Sequence, residues 1–155
     1  MGIEIERKFL VDADKWQVAA KPYGNSLRQG YMVKEPGKTI RVRIANQQSF
    51  ITIKGQSHGA TRTEYEYEIP RTDAEELLAG FCDNIISKVR YDIQYAGNIW
   101  EVDVFFGDNA GLIIAEIELS SEDQAFEKPD WVGEEVTRDK RYFNSNLSVH
   151  PYARW

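Results

Sequence analysis

The sequence predicts an α+β chain that is mainly β: eight strands, mostly antiparallel, with helices inserted at two points and a further one in the tail. Three observations carry that prediction. Charged and apolar residues alternate at period 2 through seven separate segments, which marks strands with two unlike faces. Short turn sequences such as Glu35-Pro36-Gly37, Asn46-Gln47-Gln48 and Ala96-Gly97-Asn98 join neighbouring segments, as antiparallel hairpins require. Helix-like starts interrupt the alternation only between strands and in the tail.

The elements follow in order. Glu4-Ile5-Glu6-Arg7-Lys8 opens the set, with Glu4, Glu6 and Lys8 on one face and Ile3, Ile5 and Phe9 on the other. Asp12 or Asp14 can cap a short helix reaching about Ala20, before Pro22 and Gly24. A strand at 27–33 carries Gln29 and Tyr31 on one face and lacks the charge alternation. Strands at 39–45, 50–54 and 62–69 follow, the last stopped by Pro70. Thr72 or Asp73 can cap a helix that ends near Gly80, and its acidic first turn suits the helix dipole. Strands at 86–95, 99–105 and 112–119 complete the eight. Residues 137–148 are expected to form one more helix, barred from continuing by Pro151, with Tyr142 and Phe143 covering apolar strand surface.

Eight such strands enclose a space wide enough for side chains or one small ligand, and up-and-down closure would remove the sheet edges. A closed tunnel and an open cleft both satisfy the pattern. A charged interior is costly when empty, so the apolar alternates are expected to face outward under the helices.

Composition narrows the class. The 155 residues suit a single domain spanning 1–155, and the balance of 42% hydrophobic to 28% charged residues fits a globular chain with a real core. A net charge of -6 argues against nonspecific nucleic-acid binding, so a basic site for phosphate must be local. Cys82 is the only cysteine, which excludes an intramolecular disulfide and suits a small buried hydrophobe. His58 and His150 have no partner at metal-ligand spacing. No run approaches the ~18 apolar residues of a membrane helix. The chain enters a charged strand at once, and a cytoplasmic protein with no membrane partner is expected.

The charged faces decide the function class. A solvated sheet face also alternates polar with apolar residues, but it mixes signs and uncharged groups. Here the charges come as same-sign pairs: Glu4 and Glu6, Arg41 and Arg43, Glu64 and Glu66, Lys88 and Arg90, Glu101 and Asp103, Glu116 and Glu118. Lys8, Lys54 and Arg62 complete the set. Like charges two residues apart on one face repel, so the acidic pairs imply cations and the basic pairs an anion. Oxygen-only ligands select hard ions, Mg2+ or Mn2+.

The order Glu-x-Glu-x-Lys, Arg-x-Arg, Lys54, Arg-x-Glu-x-Glu, Lys-x-Arg, Glu-x-Asp and Glu-x-Glu runs from Glu4 towards the Asp139-Lys140-Arg141-Tyr142 stretch. It resembles the CYTH family of triphosphate tunnel metalloenzymes. The resemblance implies an eight-stranded antiparallel barrel whose charged lumen binds a small-molecule triphosphate with divalent metal ions. It implies metal-dependent hydrolysis by in-line attack of water on a terminal phosphorus, most simply of inorganic tripolyphosphate to pyrophosphate and phosphate. The family also includes thiamine triphosphatases, class IV adenylate cyclases and RNA triphosphatases, and a binding module without turnover is the rival of another class. No segment declares the adenine pocket or positioned ribose hydroxyl of a cyclase.

On that resemblance the roles divide as follows. Glu4 and Glu6 meet Glu116 and Glu118 across the seam of first and last strands and hold one metal. Glu64, Glu66, Asp103 and Glu118 place a second metal and the attacking water. Arg41, Arg43 and Lys54 clamp the phosphates, Arg being suited to bidentate contacts. Lys88 and Arg90 stabilise the charge that develops in the reaction. Lys8 and Arg62 divide evenly between substrate contact and counter-ions of the glutamates. Eight acids against seven bases leave the proposed lumen at -1. Two divalent ions would bring it to about +3, a match for a triphosphate with roughly four to five negative charges.

Overall fold

The computed structural model describes residues 2–155. Strand β1 (Gly2–Val11) leads into helix α1 (Ala13–Val18), where Asp12 rather than Asp14 is the cap and its side chain accepts from the Lys15 amide. β2 (Asn25–Glu35), β3 (Lys38–Ala45), β4 (Gln48–Gly55) and β5 (Thr61–Ile69) form a meander. Helix α2 (Arg71–Phe81) begins two residues earlier than a Thr72 cap allows and three earlier than an Asp73 cap. Pro70 takes the cap position, which suits a residue with no amide to satisfy. β6 (Ile86–Tyr95), β7 (Asn98–Phe105) and β8 (Ile113–Glu118) form a second meander.

These eight strands close on themselves in the order β1-β5-β4-β3-β2-β6-β7-β8, with β8 returning to β1. The barrel is closed, but it is not a simple up-and-down circuit. β2 pairs with β6, and β1 inserts between the ends of the two meanders, β5 and β8. A ninth strand, β9 (Val132–Glu135), was not foreseen. β5 covers β1 only from Gly2 to Ile5, and β9 takes over the same edge from Phe9. Arg7, on the outer face of β1, fastens it through Glu135.

The outward residues build two cores. Phe9, Trp100, Val102, Ala115 and Ile117 pack with Trp16 of α1 and with Trp131, whose ring meets Trp16 edge to face at 5.1 Å. Val42 and Ile44 pack under Ala74 and Leu78 of α2. Gly30 lets the end of α2 approach, because a Cβ there would sit 2.8 Å from that of half-buried Cys82.

The third core departs from the expected alternation. Leu10, Ile86, Phe105 and Ile114 are in phase with the charged inward residues of their strands, so the interior turns apolar at one end of the barrel. Tyr142 and Leu147 from the tail fill that end. The expected single helix at 137–148 is instead a 3-10 turn at Lys140–Tyr142 and a short α3 (Asn144–Leu147). Asn and Ser are poor helix formers, and two buried apolar anchors fix the segment where a continuous helix would not seat both. Among the described residues no helix is long and apolar enough to cross a membrane.

Candidate active site

Period 2 and the registers carry the charged side chains to one place. Fourteen of the fifteen charged residues expected in the lumen line a single cavity of about 290 Å3. The fifteenth, Asp103, is buried against Lys88 and Arg90. Strand order sorts them by sign. β3 and β6 flank β2, so Arg41, Arg43, Lys88 and Arg90 form one basic wall. β7, β8, β1 and β5 are consecutive in the barrel, so Glu101, Glu116, Glu118, Glu4, Glu6, Glu64 and Glu66 form the opposite, acidic one.

The acidic wall carries charge that its own cations do not balance. Glu6, Glu101 and Glu116 offer carboxylate oxygens within 4.8 Å of one another. Burial, and then Glu116 and Glu4 beside it, push Glu6 well above the usual carboxylate range. Burial raises Glu101 too, against the pull of Arg90 3.3 Å away and with Glu116 adding to the rise. Higher on the wall, Glu64 and Glu118 are raised by burial and by the nearby charge of Glu4. Glu116 behaves oppositely: burial is outweighed by Lys8 and Arg90, and it stays ionised well below the usual range. Lys8 therefore stands as the direct counter-ion of Glu116. Lys54 likewise lies 3.0 Å from Glu4 and 3.5 Å from Glu64.

On the basic wall two cations shift the other way, while Asp103, Glu101 and Glu116 hold Arg90 above its usual range. Burial, with Arg41 and Arg90 nearby, pulls Arg43 down to about 9. Lys88 is pulled down to about 7, chiefly by burial, against the help of Asp103 and with Arg90 and Arg43 adding to the lowering. Arg41 donates to Thr52 Oγ1, yet its buried Nε finds no protein partner among the described residues. Arg62 donates to the Gly55 carbonyl at 2.8 Å and lies over the Phe143 ring, with no carboxylate partner among the described residues. Lys8 and Arg62 thus fall on opposite sides of the counter-ion question.

Asp103 does not join Glu64, Glu66 and Glu118, as the expected second metal set requires. Arg90 grips both of its oxygens at 2.7 and 2.9 Å, and Lys88 Nζ lies 2.7 Å from Oδ2 as an ion pair. With its oxygens committed, Arg90 and Lys88 hold it down at about 2 against the effect of burial. Glu101, a lumen acid with no ligand role expected from the sequence, belongs to the carboxylate cluster with Glu6 and Glu116. Two uncharged residues join the site without a charge signal: Gln29 accepts from Arg43 Nε at 2.8 Å, and Asn144 accepts from Lys88 Nζ at 2.9 Å. The only trace of Gln29 in the sequence is its facing Arg43 across a hairpin.

A barrel with opposed, unbalanced acidic and basic walls narrows the possible kinships sharply. The family model of the CYTH domain matches residues 2–152. The chain belongs to the CYTH family. An inorganic triphosphatase of Acetivibrio thermocellus is 51% identical to this CYTH chain over 156 residues, covering 100% of this chain and 99% of that one. An inorganic triphosphatase of Nitrosomonas europaea is 41% identical over 152 residues, covering 94% and 97%. A crystal structure of an inorganic triphosphatase superposes with a TM-score of 0.65 at 37% identity, covering 94% of this CYTH chain and 97% of that chain.

Proposed function

We propose that this protein is a metal-dependent inorganic triphosphatase. It hydrolyses tripolyphosphate to pyrophosphate and phosphate by in-line attack of water on a terminal phosphorus. One observation carries the reading: a single cavity holds carboxylates raised by burial and by one another, facing Arg43 and Lys88, which burial and neighbouring cations pull down. A metal-polyphosphate complex relieves both walls at once. The triphosphatase relatives support the same substrate.

Glu6, Glu101 and Glu116 would hold one divalent ion, and Glu4, Glu64, Glu66 and Glu118 a second. The all-oxygen donor set suits Mg2+ or Mn2+. When bound, such ions polarise phosphoryl oxygens and lower the pKa of water. Arg41 and Arg43 grip the phosphates, and the partnerless Arg41 Nε is a donor ready for a phosphate oxygen. Lys54 and Arg62 contact the polyphosphate further along, Lys54 held by Glu4 and Glu64 and Arg62 by the Gly55 carbonyl. Lys88 and Arg90 face the charge that develops at the reacting phosphoryl group. Asp103 fixes both of them in place, while Lys8 keeps Glu116 ionised.

Phosphate release from tripolyphosphate, ATP and thiamine triphosphate, each with Mg2+, Mn2+ or chelator, tests the assignment. Metal-dependent release that is fastest from tripolyphosphate is expected. Preference for an organic triphosphate, or turnover undiminished by chelator, overturns it.

A further inference from the structure

The apolar-capped end of the barrel presents one polar group that no charge pattern announced. Asn144 opens α3, between the buried anchors Tyr142 and Leu147, and its side chain lines the cavity. Its Oδ1 accepts two hydrogen bonds, from Lys88 Nζ at 2.9 Å and from Gln29 Nε2 at 3.1 Å. Gln29, fully buried, passes the link on by accepting from Arg43 Nε at 2.8 Å. One amide oxygen from the tail therefore ties together two cations of the basic wall on different strands.

We propose that Asn144 is a positioning residue: it fixes the Lys88 ammonium at the spacing from Arg43, itself held by Gln29, that a polyphosphate meets. This rests on the triphosphatase reading and adds the tail to its machinery. Lys88 repels Arg43 and Arg90, so without a fixed acceptor its flexible stem swings the ammonium away from them. Asp103 holds the ammonium from one side only, and Asn144 supplies a second direction. A lysine has three donors. With one donated to Asn144 and the ammonium paired with Asp103, donor capacity is left for the substrate. Asn144 acts through Lys88 and touches no reacting atom, so its loss falls on turnover more than on substrate capture.

A double-mutant cycle tests this. Asn144→Ala is expected to lower kcat about 10-fold while KM stays within about 2-fold, the scale of losing a group that orients a site residue. On a Lys88→Ala background the same change is expected to alter kcat by less than about 2-fold, because the residue it works through is gone. Equal losses on both backgrounds, in variants whose Tm matches their parents, overturn the proposal. Asn144→Ser, which is less disruptive to the tail, serves if Asn144→Ala unfolds.

The second readout is calorimetric affinity for a tripolyphosphate analogue with imido groups in place of the bridging oxygens. The Asn144 and Lys88 changes should be coupled there as well, with their joint effect smaller than the product of the separate ones. Coupling in binding by a wild-type protein that releases no phosphate sinks the triphosphatase reading and keeps the positioning role. Additive effects in an active enzyme do the reverse.

Discussion

Lys88 Nζ lies 2.7 Å from Asp103 Oδ2, and both side chains are almost wholly withdrawn from solvent, at 1% and 2% exposure. A buried charge with its partner removed is expensive, about 3–5 kcal/mol, because the survivor keeps its desolvation cost without compensation. Here the survivors would be two, Lys88 and Arg90.

The pair separates anchors from metal ligands. Asp103→Asn is expected to lower stability by about 3 kcal/mol or more in chemical denaturation and to reduce turnover. The metal concentration giving half-maximal activity should change by less than about 2-fold, since the Asp103 oxygens are committed to Arg90 and Lys88. Glu6→Gln and Glu101→Gln should instead lower activity by about 100-fold and be partly rescued by more metal. A metal requirement that shifts strongly for Asp103→Asn, and not for Glu101→Gln, reverses the assignment.

The stability of the protein should depend on pH in an unusual direction. Glu6, Glu64, Glu101 and Glu118 are all raised above the ordinary 4.5, with burial the first cause. As pH rises from 4.5 through their folded values, the native state keeps protons that the unfolded chain has already lost, so stability falls. Asp103 and Glu116 contribute the opposite dependence. Their folded values are depressed, so their contribution is present above the unfolded values and is lost only at lower pH. Between pH 5 and about 6 denaturant midpoints without metal should therefore decline, before Lys88, lowered to about 7, adds the opposite slope. Mg2+, by screening the acidic wall, should flatten the decline. Midpoints that rise across this window without metal contradict the crowding of the acidic wall.

The charged part of this site was legible because it is written in the two simplest signals, period and sign. Glu4, Glu6, Arg41, Arg43, Lys88 and Arg90 could be set on one face by counting, and the barrel puts them there. Position along the barrel was not written so plainly. Asp103 and Glu101 are equivalent in a period-2 reading, yet Asp103 is held by two cations while Glu101 meets Arg90 at 3.3 Å and stands with two carboxylates, because register rather than spacing chose their neighbours. Hairpin turns told which strands are joined, and nothing local told that β2 meets β6 or that β5 meets β1. Gln29 and Asn144 are uncharged and 115 residues apart, so no pattern links them until the tail folds back under the barrel.

The two walls make a final prediction about order of binding. Glu6 and Glu101 stand against Glu116, and Arg43 stands against Arg41 and Arg90, so each wall raises the free energy of the empty barrel. Polyphosphate alone relieves the basic wall but adds anions opposite the acidic one. Metal alone relieves the acidic wall but adds cations opposite the basic one. Together each ligand neutralises what the other would worsen, so the two bind with positive coupling. Such coupling is typically ~1–3 kcal/mol, or about 5–150-fold in affinity, and it is reciprocal. Ligand stabilisation follows RT ln(1 + [L]/Kd), so coupling appears directly in thermal melts. Tripolyphosphate with Mg2+ should raise Tm by more than the sum of the two separate shifts. Free Mg2+ must be held constant across the series, because tripolyphosphate chelates it. The Glu6→Gln variant should lose most of the excess while keeping the shift due to tripolyphosphate alone. Strictly additive shifts in the wild-type protein would mean that the acidic and basic walls do not act on one ligand complex.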